Sequence, residues 1–117
     1  FPRMVVLIDG ETQSSAEVLA ATLKKYHVGV LVGTASKGWG TVERVFPLEH
    51  QLSDTTTYSV FLVHSLTLDD TGNTIQGVGV QPDVRTTDAN WQRQLERYYA
   101  DQTLADSVTQ VLTQPAQ

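Results

Sequence analysis

The chain has 117 residues, a formal net charge of −5 and no cysteine. The length fits one domain, and a hydrophobic fraction of 40% is too high for a disordered chain. The absence of cysteine excludes a disulfide scaffold, a thiolate metal site and a cysteine nucleophile within these residues. The acidic balance argues against nucleic-acid binding, and no apolar run is long enough for membrane insertion. We therefore expect neither a nucleic-acid partner nor a membrane-spanning segment.

The first third of the chain predicts a strand, a helix and a second strand. Residues 4–8 and 28–32 are almost continuously apolar, as in strands that are covered on both faces. Residues 14–26 predict the helix, because apolar side chains recur at spacings of three and four. They are Ala16, Leu19, Leu23 and Tyr26. Together these elements predict a βαβ unit with two parallel strands.

The rest of the chain predicts more strands and then two helices. Alternating, β-branched and aromatic residues indicate the strands, and glycine or proline marks the turns. In chain order the elements are strands over 41–48 and 55–64, a hairpin over 66–76 with its turn at 69–73, a loop over 77–83 and two helices within 88–113. The apolar stripes of the helices are Trp91, Leu95 and Tyr98, then Leu104, Val108, Val111 and Leu112. The predicted core comprises Val5, Val6, Leu7, Leu19, Leu23, Val30, Leu31, Val32, Val60 and Leu62.

Residues 33–38 have the G-x-x-x-x-G spacing of a phosphate-binding loop. That loop needs a lysine and then a serine or threonine directly after the second glycine, but Trp39 and Gly40 stand there. A strand is predicted next, so no helix N-terminus would face a phosphate. We reject a nucleotide site and expect no cofactor. We also expect no metal site, because the three histidines lack metal-ligand spacing. They are His27, His50 and His64.

Ser14 lies between the end of the first predicted strand and the start of the first helix. A serine there usually caps the helix, and with Glu17 three residues later it fits a capping box. The same position exposes a hydroxyl beside the backbone N–H groups at the positive end of a helix. A serine nucleophile and its oxyanion hole can be built at such a point. Spacing alone leaves both interpretations open.

Three segments, in this order, resemble motifs of the C-terminal processing peptidases, also called tail-specific proteases. They read Q-S-S-A-E-V at 13–18, G-W-G-T-V-E at 38–43 and T-I-Q-G-V-G-V-Q-P-D-V at 74–84. The third is the most specific, since its glycines and proline match at fixed offsets. The resemblance implies an α/β fold of the crotonase-like (ClpP/crotonase) type and serine endopeptidase activity on a protein or peptide substrate, without a cofactor. It also implies an extracytoplasmic or periplasmic location.

The resemblance assigns roles to four positions. Ser14 falls at the nucleophile position, and the backbone N–H of Ser15 falls in the oxyanion hole. Trp39 occupies the position of the general-base lysine, and Glu43 matches the glutamine that orients that lysine. An indole N–H is a donor without a basic atom, so Trp39 cannot take a proton from a serine. Lys37 lies two residues too early. We therefore expect the chain to be inactive or much impaired.

The resemblance covers only the second half of the family's catalytic core. An upstream D-L-R-x-N-x-G-G segment, which carries the other oxyanion donor in the family, does not occur in this sequence. We expect residues 1–87 to form the second half of such a core and residues 88–117 to form a C-terminal helical segment of the same domain. The start at a buried-looking strand is consistent with a missing upstream part.

Three interpretations remain open at this point. The chain is part of a serine endopeptidase, or a non-catalytic peptide-binding or scaffold relative (a pseudoprotease), or an ordinary α/β domain in which Ser14 only caps a helix. The first two share a structural expectation. The loop at 33–40 should lie near Ser14, with Trp39 partly filling the place of a lysine. The oligomeric state is not predicted.

Overall fold

The computed structural model describes residues 3–69 and 71–114. These residues form strands and helices in a mixed α/β order, as predicted. The elements are β1 (Val5–Ile8), α1 (Ser15–Lys25), β2 (Val30–Gly33), β3 (Thr41–Pro47), β4 (Ser59–Leu66), β5 (Val84–Arg85), α2 (Trp91–Tyr99) and α3 (Gln102–Thr113). The two-residue strand β5 was not predicted, because it is too short to show a periodicity.

A three-stranded parallel sheet with the order β1-β2-β5 organises the fold. Val5 lies opposite Val30, so the predicted parallel pairing of the two apolar strands is confirmed. All four residues of β2 are buried, because this strand is central and helices cover both of its faces. Leu31 packs with Ala20 on the α1 side, and the valines on either side of it pack with α2 and α3 on the other. The result is a three-layer α/β/α unit.

The predicted core is right for β2 and wrong for several other residues. Four predicted core side chains are exposed, namely Leu7, Leu19, Val60 and Leu62, and three are only half-buried, namely Val5, Val6 and Leu23. Among residues 3–69 and 71–114, strand β1 lies at an edge of the sheet and has a strand neighbour on one side only. Its continuous apolar run therefore does not correspond to full burial.

Helix α1 presents a different face to the sheet from the one predicted. The apolar stripe is largely turned to solvent, with Leu19 60% exposed. Glu17 and Ala20 are buried instead, and Ala21 packs against the core. The two small alanines let the helix approach the sheet closely. Glu17 forms hydrogen bonds beyond its own helix, and these fix the rotation of α1 about its axis.

Strands β3 and β4 form a two-stranded antiparallel ribbon outside the three-layer unit. Thr41 lies opposite Leu66 and Pro47 opposite Ser59, with a bulge between Val42 and Glu43. Every residue of β4 is exposed. Both predicted strands are therefore present, although the second runs over 59–66 and not over 55–64, and the predicted burial of Val60 and Leu62 is wrong. The described residues have a radius of gyration of 19.2 Å, against about 13 Å for a compact chain of this size.

The two predicted C-terminal helices are present and pack on the sheet through Leu95, Ala105 and Val108. Tyr98 is exposed, and its neighbour Tyr99 packs against the core instead. The Val111 and Leu112 side chains, predicted as part of the second stripe, are also exposed. No helix within residues 3–69 and 71–114 is both long and apolar enough to span a bilayer.

The hairpin predicted over 66–76 is reduced to one isolated antiparallel bridge between Leu68 and Thr74. Its turn is closed by a 2.7 Å hydrogen bond from the Asp69 amide to the Asn73 carbonyl. Asp70, which belongs to the predicted turn, lies outside the described residues.

Candidate functional site

Ser14 occupies a strained turn between β1 and α1. Its backbone angles are φ 55° and ψ −126°, a region that side chains other than glycine rarely adopt. The side chain is exposed, and helix α1 begins at the next residue. A sharp, strained strand-to-helix turn of this kind presents the serine of known hydrolases at the end of a sheet. These angles depart from the extended conformation of an ordinary N-cap, although the Glu17 side chain accepts from the Ser14 amide as in a capping box.

The turn before Ser14 is held by its own side chains. Asp9 Oδ1 accepts hydrogen bonds from the backbone amides of Glu11 and Thr12, each at 3.0 Å. This arrangement is an Asx turn, in which an aspartate replaces backbone partners. The Thr12 carbonyl in turn accepts from the Lys37 amide at 2.9 Å. The segment leading to Ser14 is thus fastened to the loop that follows β2.

Ser15 is the first residue of α1. The first amides of a helix have no carbonyl partner within the helix, and they carry its partial positive charge. The backbone N–H of Ser15 is therefore a donor at the positive end of α1, directly after the Ser14 turn. This is the type of group that stabilises an oxyanion.

Glu17 is the central connection of the site, and it was predicted only as a capping residue. Its carboxylate is fully buried and accepts four hydrogen bonds. Oε1 accepts from Ser36 Oγ at 2.5 Å and from the Gly38 amide at 2.7 Å. Oε2 accepts from the Trp39 amide at 2.8 Å and from the Ser14 amide at 3.0 Å. A carboxylate has about four acceptor sites, so all are used.

These donors determine the ionisation of Glu17. Burial alone raises the pKa of this carboxyl, since it disfavours the charged form. The Ser36 hydroxyl and then the amides of Gly38, Trp39 and Ser14 lower it, and the net pKa is below the ordinary value of 4.5. The carboxylate is therefore ionised at neutral pH. No ion pair formed by residues 3–69 and 71–114 includes it, so backbone and hydroxyl dipoles balance its charge.

The Trp39 side chain points along strand β3. The indole is 48% exposed. Its Nε1 donates to Thr41 Oγ1 at 2.8 Å, with a longer 3.4 Å contact to Glu43 Oε1. The Thr41 hydroxyl also donates to Glu43, and this bond is the main reason that the pKa of Glu43 is lowered. Residues 39 and 43 thus contact each other, while residues 39 and 14 meet through their backbones at Glu17.

The segment 74–84 packs against the loop between β2 and β3 and is hydrogen-bonded to it. The Gly77 amide donates to the Gly38 carbonyl at 2.8 Å, and the Gly40 amide donates to Gln76 Oε1 at the same distance. A Cβ on Gly40 would stand only 2.6 Å from the backbone nitrogen of Gln76. Gly40, like Gly38 and Gly79, is therefore required for close backbone contact. This explains why 38–43 and 74–84 occur together in the sequence.

Residues 2–86 match the sequence profile of peptidase family S41. The chain belongs to peptidase family S41. The resemblance drawn from the three motifs is thereby confirmed at the level of the family.

Two of the proteins to which the chain is similar are C-terminal processing proteases. The chain is 31% identical over 81 residues to a carboxy-terminal-processing protease of Bartonella bacilliformis. This alignment covers 69% of the present chain and 17% of the Bartonella protein. It is 30% identical to the structure of a photosystem II D1 C-terminal processing protease, with a TM-score of 0.61, covering 71% of this chain and 20% of that one. The crystal structure of mature CPAF is 28% identical in sequence to this chain, with a TM-score of 0.53. That match covers 69% of this chain and 15% of CPAF. The chain thus spans a small part of these proteins.

Lys37 is the lysine nearest in sequence to the position where the S41 resemblance expects one. Its Nζ lies 4.0 Å from Glu11 Oε2 and 6.0 Å from the centre of the Trp39 ring. These contacts are those of a surface cation with a carboxylate and an aromatic face. The loop therefore directs Lys37 to Glu11 and Trp39.

Proposed function

We propose that this S41 chain carries the nucleophile half of a serine endopeptidase core of the C-terminal processing type, with Ser14 as the nucleophile. The observation that carries the proposal is the strained Ser14 backbone, φ 55° and ψ −126°, at a strand-to-helix turn. A helix cap does not require this strain, whereas a hydroxyl presented for nucleophilic attack benefits from it. The Ser15 amide at the start of α1 would contribute one oxyanion donor.

We further propose that the Ser–Lys mechanism is lost or much impaired in this chain. Trp39 stands at the position of the lysine base, and its indole has no basic nitrogen. Glu43, at the orienting position, contacts the indole and has no lysine to orient. Loss of a general base slows a reaction by a factor on the order of 10² to 10⁴. The Lys37 ammonium contacts Glu11 and the Trp39 ring, so it does not replace the missing base.

Several further features belong to the same proposal. The substrate would be a protein or peptide. The core would be crotonase-like, with residues 1–87 as its second half and residues 88–117 as a helical segment of the same domain. An extracytoplasmic or periplasmic location is the corresponding prediction for the whole protein. These statements derive from the motif resemblance.

A second candidate is a non-catalytic relative that still binds peptides. A groove of about 350 Å³ runs along β1 and the first turns of α1, and Gln13, the residue before Ser14, lines it. Its apolar lining includes Leu7, Ala16 and Leu19, and two of these are exposed leucines that a bound chain would cover. Such a groove suits extended peptide binding without any chemistry at Ser14.

Labelling with a serine-directed fluorophosphonate tests the proposed function in the full-length protein. We expect weak labelling of the wild type and none of Ser14→Ala. The double variant Trp39→Lys with Glu43→Gln should gain labelling and casein cleavage, because a base returns next to Ser14. Strong wild-type labelling that depends on Ser14 would contradict the impairment. Failure of the double variant to label, with tight peptide binding retained in Ser14→Ala, would favour the non-catalytic candidate.

A further inference from the structure

Glu17 joins two separate pieces of the chain. Two of its donors, the amides of Ser14 and Trp39, bind the same oxygen, Oε2. The two residues are 25 positions apart in sequence, yet one atom sets the separation of their backbones. The other oxygen holds Ser36 and Gly38. The loop after β2 and the Ser14 turn therefore share one buried anchor.

The Ser14 turn needs an external restraint. A residue other than glycine at φ 55° and ψ −126° is strained, and this conformation persists only when its surroundings hold it. The Ser14 amide donates to Glu17 at 3.0 Å. A hydrogen bond to a charged, buried acceptor is about twice as strong as a neutral one. Glu17 is thus well suited to hold the turn.

We propose that Glu17 is a positioning residue, whose buried carboxylate fixes the backbone of residue 39 against the backbone of Ser14. This inference rests on the proposed role of Ser14. Whatever side chain stands at position 39 then projects from a constant point beside the nucleophile. The function of any base placed there depends on Glu17, although the four hydrogen bonds that its carboxylate accepts come from groups other than the Ser14 hydroxyl.

Glutamine is the informative substitution at position 17. It keeps the size and shape of the side chain but replaces one acceptor oxygen by an NH₂ group. Each carboxylate oxygen faces two donors, so the NH₂ group would oppose at least one backbone N–H in either orientation. Exposed Glu11 offers the matched control, because its substitution by glutamine removes one nearby carboxylate without touching these bonds.

The first test uses the wild-type protein and needs no variant. The amide resonances of Ser14, Gly38 and Trp39 should shift together in a ¹⁵N NMR titration from about pH 6 to about pH 3. They should share one midpoint below 4.5, because one carboxyl accepts all three. Neighbouring charged groups do not bind these amides, since Lys37 pairs with Glu11, and Glu43 accepts from the Thr41 hydroxyl and the Trp39 indole N–H. Separate midpoints, or a Ser14 amide that does not respond, would overturn the proposal.

The second test measures fluorophosphonate labelling in the Trp39→Lys, Glu43→Gln background. Adding Glu17→Gln should lower the labelling rate by about tenfold or more, while adding Glu11→Gln should not. The comparison is made at a temperature where thermal unfolding shows every variant folded. Equal rates for the two additions would overturn the positioning role. If the background variant does not label at all, the proposed function fails, and the amide titration alone decides the role of Glu17.

Discussion

Gly79 lies so close to Ser36 that a Cβ on Gly79 would stand 2.3 Å from the Ser36 carbonyl oxygen. Hydrogen bonds also join Ser36 to Val80, the residue after Gly79. The Ser36 amide donates to the Val80 carbonyl at 3.1 Å, and the Val80 amide donates to Ser36 Oγ at 2.7 Å. The Ser36 hydroxyl then donates to Glu17. The segment that follows Gly77 therefore supports the buried carboxylate through a single serine.

Gly79→Ala should destabilise the protein strongly, and Gly77→Ala is its matched control. Both glycines have positive φ, +70° and +78°, but a Cβ on Gly77 would meet nothing within 4 Å. Gly77→Ala should therefore lose only the free energy of backbone strain, about 1 to 2 kcal/mol. The steric clash at Gly79 should bring the total to about 3 kcal/mol or more. Urea unfolding measures both, and equal losses would show that the Ser36 contact is unimportant.

Ser14→Gly should be more stable than Ser14→Ala by about 1 kcal/mol or more. Both variants remove the hydroxyl, but only glycine relieves the backbone strain at φ 55°. Denaturant unfolding of the two variants side by side gives this difference directly. An alanine variant as stable as the glycine variant would mean that the Ser14 turn relaxes without strain.

Acid should destabilise the wild type more than it destabilises Glu17→Gln. The folded-state pKa of Glu17 is lowered, mainly by hydrogen bonds that outweigh its burial. Its contribution to the free energy of unfolding is therefore complete above the unfolded value of 4.5 and is lost as the pH falls through the folded value. Other carboxyls with a lowered pKa, such as those of Asp69 and Asp101, contribute to the acid sensitivity of both proteins alike. Urea unfolding at about pH 6 and about pH 3.5 checks the difference, and parallel losses would contradict it.

Tyr99→Phe should lower the free energy of unfolding by about 1 kcal/mol. The Tyr99 hydroxyl donates to the Met4 carbonyl at 2.6 Å and so connects α2 to the residue before β1. Tyr98→Phe is the natural control, because that side chain is exposed next to it. Thermal unfolding should separate the two variants, and an identical effect of both would rule out a specific role for the Met4 contact.

The sequence predicted the parallel pair β1–β2 well, because long apolar runs and a helical period are local signals. The bounds of α1 agree to within a residue with the predicted 14–26. The rotation of that helix could not be read in the same way. Periodicity treats Glu17 as a surface residue, whereas three donors from the distant loop at 36–39, with the nearby Ser14 amide, make its burial favourable. In α1 the charged Glu17 side chain therefore faces the core, and most of the apolar stripe faces solvent.

The candidate site was predicted in part. Ser14, Trp39 and Glu43 were identified from motif positions, and their roles stay predictions. The site prediction missed Glu17 as the link between them, although the capping-box spacing had placed it three residues from Ser14. Ser36 was also missed, since a serine within a glycine-rich loop gives no distinctive signal. Both omissions concern contacts between segments, which local sequence patterns do not reveal.

The β3–β4 ribbon has a consequence for how the isolated chain behaves at high concentration. Within the described residues neither strand has a second neighbour, so each leaves an outer row of backbone donors and acceptors open. Phe61 and Val63 are exposed on one strand, and Val45 is exposed on the other. Open strand edges with apolar side chains template further strands. We therefore expect the ribbon to promote self-association of the chain, and Phe61→Lys to reduce it without touching the core.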